Sequence, residues 1–352
     1  VDTSVYNLAG RVYWRVVDRL DLTAAYKYDE RDNKTPVDTY TPVLLEVLPS
    51  DPRTNRPYSF ERKQARIELR YRVVHKVRLN GGWKRYTVER TYQEIRKSEE
   101  DAFWGEVQFT PLHWLDGRLK YEHLDRDTGV HEQQGNYDRA ENPLMRKFNM
   151  ADRKRKRATV EFNLFPMERM DINLSYYSTK DDYNDSVIGL TEGKETSINL
   201  SLNYLLNEHA NFYGFFTQDK IKSELSGAVS FTALPWDSFT EDKIITWGLG
   251  VNGRINDKLT YGIDYVHSKS DGDILTDSGA GENPFPVLKT KLRNARVYLD
   301  YKLNQSWGLG LDAYQEKYDS SDWYVDGYGP TDITGVLTMG EVSPDYKASV
   351  IR

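Results

Sequence analysis

Side chains capable of chemistry are plentiful in this sequence, but they are not arranged as a catalytic set. The six histidines (His75, His113, His123, His131, His209, His267) show no ligand spacing such as H-x-x-x-H and read as ordinary polar residues. There is no Cys, which removes disulfides, thiolate metal sites, Cys nucleophiles and any c-type haem attachment to this chain. No nucleophile elbow, P-loop or dinucleotide fingerprint stands in a defensible context. Two acidic stretches, Ser268–Asn283 and Glu316–Gly327, offer oxygen ligands for Ca²⁺. Neither fits the twelve-residue calcium loop, and both read as solvated loops.

What remains is charge in strict alternation. Arg66, Glu68, Arg70 and Arg72 alternate with Ala65, Ile67, Leu69, Tyr71 and Val73. The same parity holds for Arg118, Lys120 and Glu122, for Arg155, Arg157 and Glu161, and for Arg296, Asp300 and Lys302, with Arg78, Lys84 and Glu106 in phase. A wall of mixed sign is a poor ion-selectivity filter. It suits contact with a folded, charged partner, and equally a wall that needs only hydration and internal ion pairs.

Alternation with period two belongs to strands that have one apolar and one wet face. Ile198, Leu200, Leu202 and Tyr204 alternate with polar residues, as do Ile245, Trp247, Leu249 and Val251. About fifteen such segments of roughly ten residues follow one another, the length a tilted strand needs to cross a bilayer. The expected fold is all-β: a transmembrane antiparallel up-and-down β-barrel, a single domain over residues 1–352. Tight connections fall near Val17–Arg19, Val74–Lys76, Pro111–Leu115, Phe165–Glu168, Leu205–Glu208, Ile255–Asp257 and Asn304–Ser306. Long ones fall near Asn33–Phe60, Tyr92–Glu99, Asp127–Asp152, Asn184–Lys194, Glu224–Glu241, Gly272–Thr290 and Asp319–Asp345. Short periplasmic turns and long extracellular loops are the sorting of a bacterial outer-membrane barrel. Aromatics fall in two belts, with Trp14, Tyr71, Phe109, Tyr204, Tyr301 and Trp307 beside the turns. Tyr28, Trp83, Tyr121, Tyr176, Phe216 and Tyr265 lie toward the loops.

Mean hydropathy is -0.72, and no window approaches a transmembrane helix, which leaves a barrel open. The formal net charge of -6 does not suit a polyanion binder, and no nucleic-acid partner is expected. The basic run Arg153–Arg157 resolves by parity into two faces. Arg153, Arg155 and Arg157 point to the lumen, while Lys154 and Lys156 sit at headgroup level, where long side chains snorkel. Asn142–Phe148 is expected to form a short helix that folds its loop inward.

Two stretches carry a resemblance. "ENPLMRKFNMADRKRKRA" (Glu141–Ala158) and "YKYDERDNKTP" (Tyr26–Pro36) resemble loop-and-strand signatures of the MtrB/PioB family of decahaem-associated outer-membrane proteins. That resemblance implies a wide barrel around a periplasmic multihaem c-type cytochrome, forming a trans-outer-membrane electron conduit in which the barrel does no redox chemistry. The barrel binds no cofactor; the haem is carried by the cytochrome. A second multihaem cytochrome on the extracellular side and the outer-membrane lipid complete the expected partners. The chain supplies only about half the strands of such a barrel. It has no recognisable signal peptide and stops at "YKASVIR", and is expected to be a fragment covering the C-terminal half, with open edges. The alternative is a diffusion porin or substrate-specific channel; an outer-membrane enzyme lacks a catalytic set to support it.

Overall fold

The computed structural model describes residues 2–41, 43–45, 48–49, 52–132, 142–228, 235–277, 282–322 and 345–352. Fifteen strands build one antiparallel meander. They are β1 (Thr3–Val17), β2 (Leu20–Asn33), β3 (Phe60–Val74), β4 (Val77–Arg90), β5 (Lys97–Leu112), β6 (Leu115–Thr128), β7 (Arg153–Met167) and β8 (Met170–Asp182). The second half continues with β9 (Ile188–Asn207), β10 (Ala210–Ala228), β11 (Pro235–Asn256), β12 (Leu259–Asp277), β13 (Leu288–Lys302), β14 (Gly308–Ser321) and β15 (Tyr346–Ile351). Each pairs with its sequence neighbours. Among the described residues β1 pairs only with β2, β15 only with β14, and no ladder joins β1 to β15. The sheet therefore has two free edges.

Register carries one face unbroken across the sheet. Leu22 faces Leu69, Ile67 faces Trp83, and Trp83 faces Phe103. Val107, Leu119, Val160, Tyr176 and Ile198 then form one cross-strand row. Leu249, Tyr265 and Ala295 form another, further along the sheet. This apolar face is bare: Ile67 is 45% exposed, Leu200 42% and Leu249 62%. Covering one such side chain is worth about 1.5–3 kcal/mol, so a face of dozens needs lipid. No helix is long and apolar enough to cross a membrane; the strands cross instead.

The short turns have a common build. Asp18–Arg19, His75–Lys76, His113–Trp114, Glu168–Arg169, Glu208–His209 and Asp257–Lys258 are two-residue turns, each beside a register shift in its hairpin. Such bulges sharpen the local twist at a rim. Asn207 and Asn256 accept hydrogen bonds through Oδ1 from the N–H two residues on, at 2.8 and 2.9 Å, the Asx geometry that turns a chain without glycine. The Arg19, Lys76, Trp114, Arg169 and Lys258 carbonyls then accept from the neighbouring hairpin at 2.7–2.9 Å, tying the rim together.

Expectation and structure differ at the other end. β9–β12 run 19 to 22 residues, so most of the expected loops 184–194, 224–241 and 272–290 are strand. Charged outward residues there pair across strands: Lys180 with Glu192 at 2.8 Å, Lys220 and Lys222 with Glu241 at 2.5 and 2.6 Å. Above the bilayer, a ladder laced with such pairs needs no apolar face.

Candidate functional site

The inward face divides into sectors. Across β1–β6 it forms a concave trough of about 1090 Å³, with Arg66, Glu68, Arg70, Arg118, Lys120 and Glu122 among its lining. Arg11, Arg15, Asp21, Arg78, Lys84 and Glu106 join them, giving eight basic against four acidic side chains. Arg66 is ion-paired with Glu68 on its own strand. Arg118 bridges Glu106 at 3.7 Å and Glu161 at 3.2 Å, and Arg157 reaches Glu122 at 3.7 Å. Lys120 pairs with Glu122 at 3.5 Å and stands 5.1 Å from the Trp104 ring centroid. Arg155 donates through Nε and a terminal nitrogen to both oxygens of Asp181, each at 2.5 Å. Apart from Arg155–Asp181, whose carboxylate is buried, these pairs are partly exposed and each contributes at most about 1 kcal/mol; their consequence is to lay long side chains flat on the wall.

Not every expected residue belongs to this trough. Arg72 has inward parity and lies opposite Arg78. Arg155, Arg157 and Glu161 continue the charged wall on β7. Arg296, Asp300 and Lys302 stand on β13, far along the sheet. There Arg296 grips Asp312 at 3.0 and 2.9 Å, a carboxylate that Arg352 also reaches at 3.2 Å. Asp300 lies opposite Thr260 and Gly310, and Lys302 opposite Gly308.

Between the basic sectors lies one of mostly uncharged side chains, in which the inward charges are chiefly carboxylates, Glu195, Asp219, Asp242 and Asp264. On β9–β12 the inward positions include Ser197, Asn199, Ser201, Thr217, Thr246 and Ser268, joined by hydrogen bonds such as Thr217 to Asn199 at 3.0 Å and Thr246 with Ser268 at 2.8 Å. Here and in the trough, inward aromatics lie flat on glycine directly opposite: Trp104 on Gly82, Phe215 on Gly248, Tyr213 on Gly250, Tyr298 on Gly262. A Cβ on Gly82 would stand 2.6 Å from the Ile67 carbonyl oxygen and 2.9 Å from the indole. Sequence reasoning missed these rings. Their signal was available: hairpin counting sets an aromatic across from a glycine, the cross-strand pairing that keeps a glycine-bearing strand in register.

At the long-loop end a packed cap rests on the inward wall. Val88, Ala102 and Leu124 from the wall are buried, as are Ile95, Met150, Ala151 and Tyr183 from three loops and Ile188 at the head of β9. Arg126 pins the cap by donating to the carbonyls of Ala151, Asn149 and Phe148 at 2.8, 3.4 and 2.6 Å. Asp152 accepts from the Thr128 N–H and hydroxyl at 2.7 Å each, and Lys147 pairs with the buried Glu94. The loop does fold inward, but not as a helix. Met145–Arg146 instead forms a short parallel bridge to Ile188–Gly189. Asn142 Oδ1 accepts from the Leu144 N–H at 3.0 Å, which spends these residues on a turn. Asp185, 3.7 Å from Arg146, is held above the usual carboxylate range by burial and by Asp152, with Arg146 opposing. In the other signature stretch, Asn33 Oδ1 holds the Thr35 N–H and hydroxyl at 3.2 and 2.6 Å, and the Asn33 N–H donates to Ser59 at 2.9 Å. Both signatures thus shape strand exits at one rim.

Among the described residues no three His, Asp or Glu are grouped to hold a metal ion. Residues 278–281 and 323–327 of the two acidic loops weighed for Ca²⁺ lie outside the described residues.

The family described as "Putative outer membrane beta-barrel porin, MtrB/PioB" matches residues 1–352. The chain belongs to the MtrB/PioB family. This MtrB/PioB chain is 28% identical over 344 residues to Outer membrane protein MtrB of Shewanella baltica (strain OS185), covering 97% of this chain and 49% of that protein. It spans about half the length of that curated relative. It is an outer-membrane β-barrel protein. Solved structures with a similar trace include a mutant of the ferric enterobactin receptor PfeA of Pseudomonas aeruginosa, at TM-score 0.47 and 9% identity over 91% of this chain and 66% of that one. The siderophore receptor PirA of Acinetobacter baumannii gives 0.44 and 8% over 99% and 70%. Likenesses of that size say nothing about function.

Proposed function

We propose that this MtrB/PioB barrel sheathes a periplasmic multihaem c-type cytochrome within the outer membrane, so that electrons cross along the partner's haems. The whole-chain family match carries the reading, with the relative named MtrB in support. The wall agrees with it. Many of its charges are paired with one another along the wall, and the sector on β9–β12 is lined mostly by Ser, Thr, Asn and Gly, which let a folded guest approach the backbone. The net-basic trough favours an acidic patch on that guest. The barrel's part is positional: the outward apolar face seats in lipid, the inward face holds the guest, and the haem belongs to the partner. A second multihaem cytochrome docks at the long-loop end.

The test is purification of the full-length protein from outer membranes in gentle detergent, followed by haem staining. A stoichiometric c-type band that survives salt washes is the expected result. A colourless barrel that conducts ions in a planar bilayer overturns the sheath and makes the protein a porin.

A further inference from the structure

On the outward face of β12–β15, just above the apolar band, basic side chains stand in a row that few carboxylates among the described residues balance. Register places His267 opposite Arg293, Arg293 opposite Lys317, and Lys317 opposite Lys347. The next row up holds Lys269, Lys291 and Asp319, and the one above that Asp271, Lys289 and Ser321. Six Lys or Arg thus share three rows with two carboxylates. Both carboxylates are engaged within their own strands, Lys269 with Asp271 at 2.5 Å and Lys317 with Asp319 at 2.7 Å. Asp345, at the head of β15, accepts from the Ser320 N–H at 2.6 Å. Among the described residues, no carboxylate lies within ion-pair distance of Arg293, Lys291, Lys289 or Lys347.

Like charges directly opposite, with Cβ atoms about 4.5–5.5 Å apart, destabilise a sheet. Elsewhere in this outward collar lysines also stand opposite one another, in the row Lys156, Lys180, Lys194 and Lys222, but there carboxylates on the neighbouring rungs are shared among three of the four. Lys180 is shared by Asp182 and Glu192 at 3.0 and 2.8 Å, Glu241 serves Lys220 and Lys222, and Arg85 holds Asp101 at 2.5 Å. The row on β12–β15, in which only Lys317 has a carboxylate partner among the described residues, sits at a defined depth. On β13 the outward positions below Arg293 read Ala295, Val297, Leu299 and Tyr301, so Arg293 is the first charge above the hydrocarbon. The row therefore lies at headgroup level of the leaflet on the long-loop side, the outer leaflet.

We propose that this row is a binding site for the phosphates of a lipid A-type glycolipid in that leaflet. Arg293 supplies a planar fork for two phosphate oxygens and Lys317, Lys347 and Lys291 supply point charges around it. The bound anion relieves the repulsion along the row, and the acyl chains lie against the apolar band beneath. The inference rests on outer-membrane location and is independent of any cytochrome.

The experiment uses delipidated full-length protein with its native partners and native mass spectrometry. The probes are bis-phosphorylated lipid A, its dephosphorylated form, and inorganic phosphate as competitor. Retention of the phosphorylated lipid is expected, with at least about tenfold loss for the dephosphorylated form and for Arg293→Gln/Lys317→Gln/Lys347→Gln. A Lys220→Gln/Lys222→Gln control should retain the lipid. Equal binding of the dephosphorylated lipid by the native protein overturns the proposal whether or not the triple variant folds. So does undiminished retention by a folded triple variant, an equal loss in the control, or complete displacement by inorganic phosphate.

Discussion

At the scale of single residues, the cap over the inward wall depends on one backbone conformation. Gly189 has φ 126°, a region closed to side chains, and a Cβ there would collide with the Arg146 carbonyl oxygen. Gly189→Ala should cost the cap about 1–3 kcal/mol, read as earlier cleavage within 142–152 in limited proteolysis while the strands stay protected. Asp185 adds a pH dependence of known sign. Its folded pKa lies above the unfolded value, so the folded cap binds more protons and loses stability as pH rises from about 4. Asp185→Asn should remove that slope, and hydrogen exchange of 183–188 measured at two pH values checks it. Little of this was legible beforehand. Parity assigns Arg126 to the lumen but cannot show that its guanidinium grips three carbonyls more than twenty residues downstream. Nor does local composition reveal a parallel bridge between segments some forty residues apart; it made Asn142–Phe148 look helical instead.

At the scale of elements, strand existence and facing were legible because lipid enforces the alternation: a one-residue slip would turn every Leu and Tyr to the lumen. Strand length was not, since above the bilayer that constraint ends and only ladders and ion pairs decide. Two substitutions separate these regimes. Gly82→Val forces Trp104 off the wall between β4 and β5 and should cost about 1–3 kcal/mol, lowering the temperature at which the folded, fast-migrating species is lost on gels. Glu241→Gln removes two pairs from the extension of β11. Those side chains are roughly a third to a half exposed, and the loss should stay within about 1 kcal/mol per pair, leaving that temperature nearly unchanged. Comparable losses at the two sites would mean that the extension bears load as the spanning part does.

At the scale of the whole molecule, strand number sets what the lumen can hold. Barrel diameter grows with strand count, and barrels of 16–18 strands leave a channel for water and small solutes. Fifteen strands closed on themselves would make a pore of about that class, too narrow for a folded multihaem protein. The sheath reading therefore requires further strands on β1 and β15, whereas the channel reading does not. A chain covering 49% of its curated relative is compatible in length with the wider barrel, and the two free edges present the backbone groups that added strands would pair. Unpaired, each such group costs several kcal/mol in lipid. Residues 1–352 refolded alone in detergent should consequently give oligomers through edge-to-edge pairing, while the full-length protein refolds as a heat-modifiable monomer. A monomeric, heat-modifiable and ion-conducting product from residues 1–352 would show that β1 and β15 close on each other, and with that closure the lumen would have no room for the cytochrome.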